Sequence, residues 1–372
     1  MKKYLLKILI VFVCSISLAT NVVVVSAKSA VTPKQKQKIE NFLIGVMHWI
    51  DVEKKWYTVK QGTKKSAKQF SDDVLIGTVW ELARGNRIIK PSYYTIRDYG
   101  MKEWFVTSKQ MQNFAVQLFG KKIKNGRKNY MYEKHPTYGE GYRIINADGE
   151  TYVIPNIITV KKIKNGIVVI FSSAYERIYG FAGNYKAVFK TNKKSPIGYT
   201  LISIKKLKNA NPTLKKAISS SHLQSNGGIT YLAKNLMDNN LKTAWCEGVN
   251  GVGNGQWVKL LWKQKKAISA IEIFEGYQKS MDLYRKNGRP LKLKFEFSNG
   301  KTIIVDMENE RVYQNSQWIR WSCRNMDYIN DQSVSVVFLD KKIKTSYVKI
   351  TVLKAKAGTK YADTCISEVK FY

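Results

Sequence analysis

Between residues 291 and 297 the chain alternates strictly. Leu291, Leu293, Phe295 and Phe297 flank Lys292, Lys294 and Glu296, then Asn299-Gly300 turns the chain and Ile303, Val305 and Met307 resume the pattern. A two-residue period sends one set of side chains to a core and the other to water, and Asn-Gly closes a hairpin. This region is therefore constrained to antiparallel sheet with one wet face. Val258-Lys259-Leu260, Ile271-Glu272-Ile273 and the run Val348, Ile350, Val352 against Lys349 and Thr351 repeat the pattern. Short strands punctuated by Gly and Asn over residues 218–372 predict an all-β sandwich of the jelly-roll kind.

The first half reads differently. Thr32-Pro33 opens a helix whose apolar face is Ile39, Phe42, Leu43, Val46, Met47 and Ile50. A second helix is expected from Ser71 through Leu75, Val79 and Leu82, and a third from Thr107 to Gly120, with Thr107 and Gln110 in a capping-box spacing. Residues 91–104 are aromatic and ambiguous. β-branched runs at 152–163 and 167–172 flank Lys164-Asn165-Gly166, Asp148-Gly149 marks an earlier turn, and further strands are expected at 185–190 and 199–204. Residues 28–205 thus predict an α+β domain, helices then an antiparallel meander. The polar, basic stretch 206–217, with Asn211-Pro212, reads as a linker to the sandwich at 218–372.

Lys2, Lys3 and Lys7, an apolar run and Val25-Ser26-Ala27 have the form of a secretory signal over residues 1–27, cleaved after Ala27. The expected location is extracellular, with no transmembrane segment left after cleavage. Removing the three leader lysines takes the formal charge from +36 to +33. Such a surface attracts anionic polymers without specificity. The cations are mostly Lys, spread along the chain and outside any recognisable nucleic-acid module, which argues against sequence-specific nucleic-acid binding. Cys14 leaves with the leader, so Cys246, Cys323 and Cys365 remain, and an odd count outside the cell leaves a free or intermolecular thiol.

No nucleophile elbow, phosphate loop or metal-ligand spacing marks the first domain. An enzyme reading there would have to rest on Glu81, His135 or Glu140, brought together only by the fold.

Asp238-Asn239-Asn240-Leu241-Lys242-Thr243-Ala244-Trp245 resembles the D-G-N-x-x-T-x-W signature of discoidin-like, or F5/8 type C, galactose-binding-like domains, with Ile366-Ser367-Glu368 like their closing strand. Adding Cys246-Glu247-Gly248, Gly276 to Ser280, Tyr284 to Pro290 and Ala362 to Glu368, the region from Ile218 to Tyr372 resembles the NADase-type glycan-binding variant. The resemblance implies a non-catalytic carbohydrate-binding or surface-adhesion protein that holds glycan by inter-strand loops. The alternative is a secreted enzyme whose first domain is catalytic and whose last domain targets it. By the same resemblance Asp238, Thr243 and Glu368 form a structural Ca²⁺ site, oxygen ligands suited to that ion. Asn239 stands where the signature has Gly, and Asn tolerates a left-handed backbone. If Asp238 and Glu368 converge, Cys246 is expected to pair with Cys365, with pairings through Cys323 as competitors. Trp245, Tyr277 and Tyr284 would offer sugar-stacking faces, and Glu247, Lys279, Asn287 and Arg289 hydrogen bonds. Each has a packing alternative: Trp245 as a core anchor, Asn287-Gly288 as a turn, Arg289 as a brace for a carboxylate.

Overall fold

In the computed structural model, the helical spacing around Phe42 and Val46 becomes α1 (Pro33–Lys54), whose apolar face is fully buried. Residues 31–54, 59–83, 88–96, 102–145, 153–175, 180–308, 311–314, 318–323 and 334–372 are described. The expected signal at 1–27 and the turn at Asp148-Gly149 lie outside them. After β1 (Lys64–Ser66) come α2 (Asp72–Ala83), β2 (Tyr93–Ile96), β3 (Lys102–Thr107) and α3 (Ser108–Phe119). The capping box at α3 forms as expected: Thr107 Oγ1 accepts the Gln110 N–H at 3.3 Å, Gln110 Oε1 accepts the Thr107 N–H at 3.3 Å, and Gly120 ends the helix at φ 63°.

The ambiguous aromatic stretch resolves into strands. β2 and β3 join β4 (Tyr132–His135) and β5 (Gly139–Ile145) in a four-stranded sheet ordered β2-β3-β5-β4. The strands are thus interleaved with the helices rather than all following them. A second sheet, β1-β9-β8-β7-β6, uses β6 (Val153–Ile163), β7 (Gly166–Tyr175), β8 (Gly180–Thr191) and β9 (Tyr199–Lys206). Its hairpin closes at Lys164-Asn165, where Ile163 pairs with Gly166. α1 and α3 pack on its inner face, with Phe42 against Phe119 and Phe189 at ring distances of 5.5 and 5.9 Å.

β10 (Leu214–Ser219) corrects the expected linker: it pairs antiparallel with β12 (Trp257–Glu275), Ala217 opposite Leu260. Lys215 and Lys216 hid a short edge strand, and lysines are what edges carry to stay unpaired with other chains. The remaining elements are β11 (Trp245–Cys246), α4 (Met281–Lys286), β13 (Arg289–Phe297), β14 (Thr302–Asp306), β15 (Arg311–Gln314), β16 (Trp318–Cys323), β17 (Val334–Lys356) and β18 (Cys365–Phe371). They run β11-β18-β12-β17-β13-β14, with β15-β16 joined to β17, antiparallel throughout. Inward residues such as Leu260, Leu293, Phe295, Ile350 and Val369 fill the core of this sandwich. The fold classes expected for both halves hold.

The two halves meet at the far end of β18. Phe181 stacks on Tyr372 at 4.1 Å beside Ala174, Ala270, Val336 and Phe338. Glu272 accepts the Phe181 N–H at 2.9 Å and the Tyr372 hydroxyl at 2.8 Å. β18 then runs roughly 20 Å away from this seam to the opposite end of the sandwich.

Candidate functional site

That opposite end is where the loops of the resemblance converge. β11, β12 and β17 finish there, and β13 and β18 begin there. Cys246 and Cys365 are bonded across a sequence separation of 119, and are paired in register on β11 and β18. Cys323 sits on β16 opposite Val334.

Next to the disulfide, Glu247 is 0% exposed. Its Oε1 accepts the Thr364 N–H at 3.0 Å and its Oε2 the Val249 N–H at 2.8 Å, while the Thr364 carbonyl accepts the Glu247 N–H at 3.2 Å. Burial pushes its carboxyl up, against those two backbone donors. Trp245 is 1% exposed and its indole N–H donates to the Ser221 carbonyl at 3.0 Å. Both residues therefore differ from the expectation of sugar contact: their polar atoms are engaged with backbone, and they clasp the end of the sandwich.

The segment 276–289 is built by α4 and two hydrogen-bonded crossings to β18. Gly276 donates to the Cys365 carbonyl at 3.0 Å, Gly288 donates to Asp363 at 2.9 Å, and Cys365 donates back to Gly288 at 3.1 Å. Gly276 has φ +79°, and a Cβ there would lie 2.8 Å from the Tyr284 ring, so this position requires glycine. Arg289 lies over the Tyr284 ring at 4.4 Å and donates to the Tyr284 carbonyl at 3.0 Å. Asn287 is buried and caps α4 through Leu283 at 2.8 Å. Tyr277 is 3% exposed and meets Tyr231 edge-on at 6.1 Å, beside the disulfide. Tyr277, Tyr284 and Asn287 thus shape the site from beneath. Lys279 is exposed and Arg289 half-exposed.

Two aromatics escaped the sequence reading. Tyr361, 41% exposed, carries Lys360 at 5.3 Å and is tied to α4 through its N–H on the Lys286 carbonyl at 2.8 Å. Tyr231 is half-exposed on the flank. The signal for Tyr361 was its place immediately before Ala362, the start of the closing motif. This end thus leaves Tyr361, Lys279 and Lys360 exposed, with Arg289 and Tyr231 half-exposed.

Residues 209–372 match the family of the NAD glycohydrolase translocation F5/8 type C domain. The C-terminal half is an F5/8 type C domain. Among solved structures, the chain is similar to the CBM32-1 and CBM32-2 domains of Clostridium perfringens ZmpB in complex with GalNAc, at 14% identity and a TM-score of 0.29. That match covers 43% of this chain and 33% of the other, so the chain spans about a third of that relative. It is also similar to the family 32 CBM of C. perfringens NanJ in complex with galactose, at 20% identity, TM-score 0.28, and 42% and 91% coverage. Among curated proteins none matches the chain.

On the flank of the F5/8 type C domain, Asp238 and Glu368 do come close. Asp238 Oδ1 accepts the Asn240 N–H at 2.9 Å, and Thr243 Oγ1 lies 2.7 Å from Asp238 Oδ2 and 2.8 Å from the Asn240 carbonyl. Asn239 takes the left-handed backbone at φ 59°, the conformation expected where the signature has Gly. Glu368 is 1% exposed, accepts from the Asn239 and Asn240 backbone, and keeps Oε2 buried without a hydrogen-bond partner. Burial first, then the Asp238 charge, pushes its carboxyl up to about 7. An orphaned carboxylate oxygen facing a second carboxylate, with a hydroxyl and a carbonyl beside them, fits a hard cation in donor type. Among the described residues no group of three or more His, Cys, Asp or Glu forms a metal cluster, so carbonyls would have to complete such a shell.

Of the three residues on which an enzyme reading rested, His135 and Glu140 lie one register step apart on the paired strands β4 and β5, and Glu81 lies on α2. Glu140 Oε1 and Oε2 each lie 2.9 Å from Arg127 Nη2 on the surface. The His135 ring packs against Phe105 and Tyr138 at 5.1 and 4.9 Å, and its Nδ1 accepts the Thr137 N–H at 3.1 Å. The Glu81 Cβ lies beside Gly45 of α1. Among the described residues no helix is long and apolar enough to cross a membrane.

Proposed function

We propose that this chain is a secreted, non-catalytic carbohydrate-binding or surface-adhesion protein that holds glycan at the loop end of its F5/8 type C domain. The observation that carries this is the convergence of the 276–289 and 357–364 segments at the end of the sandwich turned away from the first domain. There a disulfide and Glu247 fix the scaffold, Tyr361 and Lys279 are left to solvent, and Arg289 is half-exposed over Tyr284. Aromatic edges pack on sugar C–H faces, and a guanidinium and ammoniums donate to sugar hydroxyls. The leader-like first 27 residues support export. Asp238, Thr243 and Glu368 would hold Ca²⁺ as a structural ion bracing the turn before β11.

The test is a glycan array with the full-length chain, comparing Arg289→Ala and Tyr361→Ala with the parent. Both should lose binding; Tyr361→Ala should keep the melting temperature, since that ring is exposed, while Arg289→Ala should lower it slightly through the lost bond to the Tyr284 carbonyl. Parental binding by both variants would end the assignment. Tyr277 is unsuited to this test, since its removal would open a cavity beside the disulfide.

A further inference from the structure

The outer face of the sheet β1-β9-β8-β7-β6 carries an arrangement that the loop site does not use. Register places Lys186 of β8 directly opposite Lys205 of β9, and Lys205 directly opposite Lys64 of β1. Residues directly opposed in a sheet share one face, and like charges so placed are destabilising. Three lysines therefore spring from one face in a row at strand spacing, about 4.8 Å per step. Lys64 and Lys205 are exposed and Lys186 half-buried, and among the described residues none of the three has an ion-pair partner.

The row continues through Ile170 and Thr159, and the neighbouring row holds Lys161, Val168 and Val188 in register, with Ile202 bulged and 43% exposed beside it. Lys190, opposite Thr200, stands on the same face. The helices cover only the other side of this sheet. The seam with the C-terminal domain covers one end of this face at Ser172, Ala174 and Asn184, and what remains is a surface of lysines and aliphatic side chains.

We propose that this face binds an acidic polysaccharide carrying a carboxylate on successive sugar rings. One strand step is comparable with the length of a sugar ring, so a chain laid across β8, β9 and β1 meets one ammonium per residue. Val168, Ile170, Val188 and Ile202 suit the C–H faces of the rings. Nucleic acid fits less well: single strands are held by aromatic stacking and bases are read by Arg, and the outward residues of these rows include neither. The protein then attaches at two ends by two chemistries, loop recognition at one and charge at the other.

The experiment uses the full-length chain and immobilised polygalacturonate at about 150 mM salt. A Lys64→Gln, Lys186→Gln, Lys205→Gln variant is compared with a control of equal charge, Lys122→Gln, Lys193→Gln, Lys341→Gln, from exposed positions elsewhere. The row variant should bind about tenfold or more weakly, with a shallower salt dependence, and the control within about twofold of the parent. Its melting temperature should stay level or rise, since opposed like charges are removed. Equal weakening of both variants, or tighter binding of the parent to single-stranded DNA than to polygalacturonate, overturns the proposal.

Discussion

Two wet sheet faces of this molecule, one on each domain, treat their lysines differently. On the F5/8 type C domain, Lys259 and Lys349 are also directly opposed across β12 and β17. Each is accommodated, however: Lys259 lies over Tyr347 at 3.9 Å, Lys349 over Trp257 at 4.8 Å, and Glu296 stands 4.0 Å from Lys349 and 3.3 Å from Lys294. Ring faces and one carboxylate offset the repulsion locally. On the first domain the row Lys64, Lys205, Lys186 has no such relief among the described residues. Cross-strand repulsion of similar geometry is thus neutralised within the fold in one place and left available to a ligand in the other. The same contrast holds for scaffold chemistry, since the C-terminal domain is closed by covalent and buried polar ties between distant segments, and the described core of the first domain is helix packed on sheet.

The strongest way to break this comparison is to open the clasp. Replacing Cys246 and Cys365 with Ser should cost the C-terminal domain about 4–5 kcal/mol by the loop-entropy account of a closure of this length. The first domain should keep its own melting transition, so calorimetry should show one transition moving and the other staying. A common shift of both would mean that the seam at Phe181 and Tyr372 binds the halves into one cooperative unit. Next in size is Glu247→Ala, which strands the buried N–H groups of Val249 and Thr364 and should cost about 3 kcal/mol, read by denaturant melts. A loss below about 0.5 kcal/mol would show that water replaces the carboxylate and that the clasp is the disulfide alone.

Much of this was legible in the chain and some was not, for reasons that follow from range. The α3 capping box, the hairpin at Lys164-Asn165 and the alternation at 291–307 are local, and local chemistry dictates them. β10 was hidden because lysines on an edge strand read as a polar linker. Tyr93 to Ile96 lacked the alternation that marks a half-buried strand. Burial of Trp245 was legible as the packing alternative, but that of Glu247 was not, because which face of a loop turns inward depends on segments more than a hundred residues away. The lysine row lies deepest in this respect: Lys64 and Lys186 are ordinary surface residues until register sets both in line with Lys205.

Calcium sharpens the comparison from the other side. If Asp238, Thr243 and Glu368 hold the ion, Ca²⁺ at a hundredfold excess over its dissociation constant should stabilise the C-terminal transition by about 2.7 kcal/mol, and chelator should reverse it. The first domain's transition should not respond. Asp238→Asn should abolish the shift, and an unchanged C-terminal melt with and without Ca²⁺ would remove the ion from the account.

The smallest effect expected lies at the seam, and its sign is fixed by burial. Glu272 is enclosed between the Phe181 N–H and the Tyr372 hydroxyl, with Lys370 at 3.9 Å, and desolvation raises its carboxyl above the ordinary range. The folded protein then keeps a proton that the unfolded chain has released. The stability contributed is full below the ordinary carboxylate range and is lost as pH rises through the folded value. Glu272→Gln keeps the shape without the charge. Variant and parent should melt nearly alike at about pH 3.5, below the ordinary carboxylate range, and the variant should gain on the parent as pH rises through and above that range toward about pH 8. A variant weakened equally at both pH values would show that Lys370 relies on a charged Glu272, and that the seam, like the face around Glu296, neutralises its lysine from within.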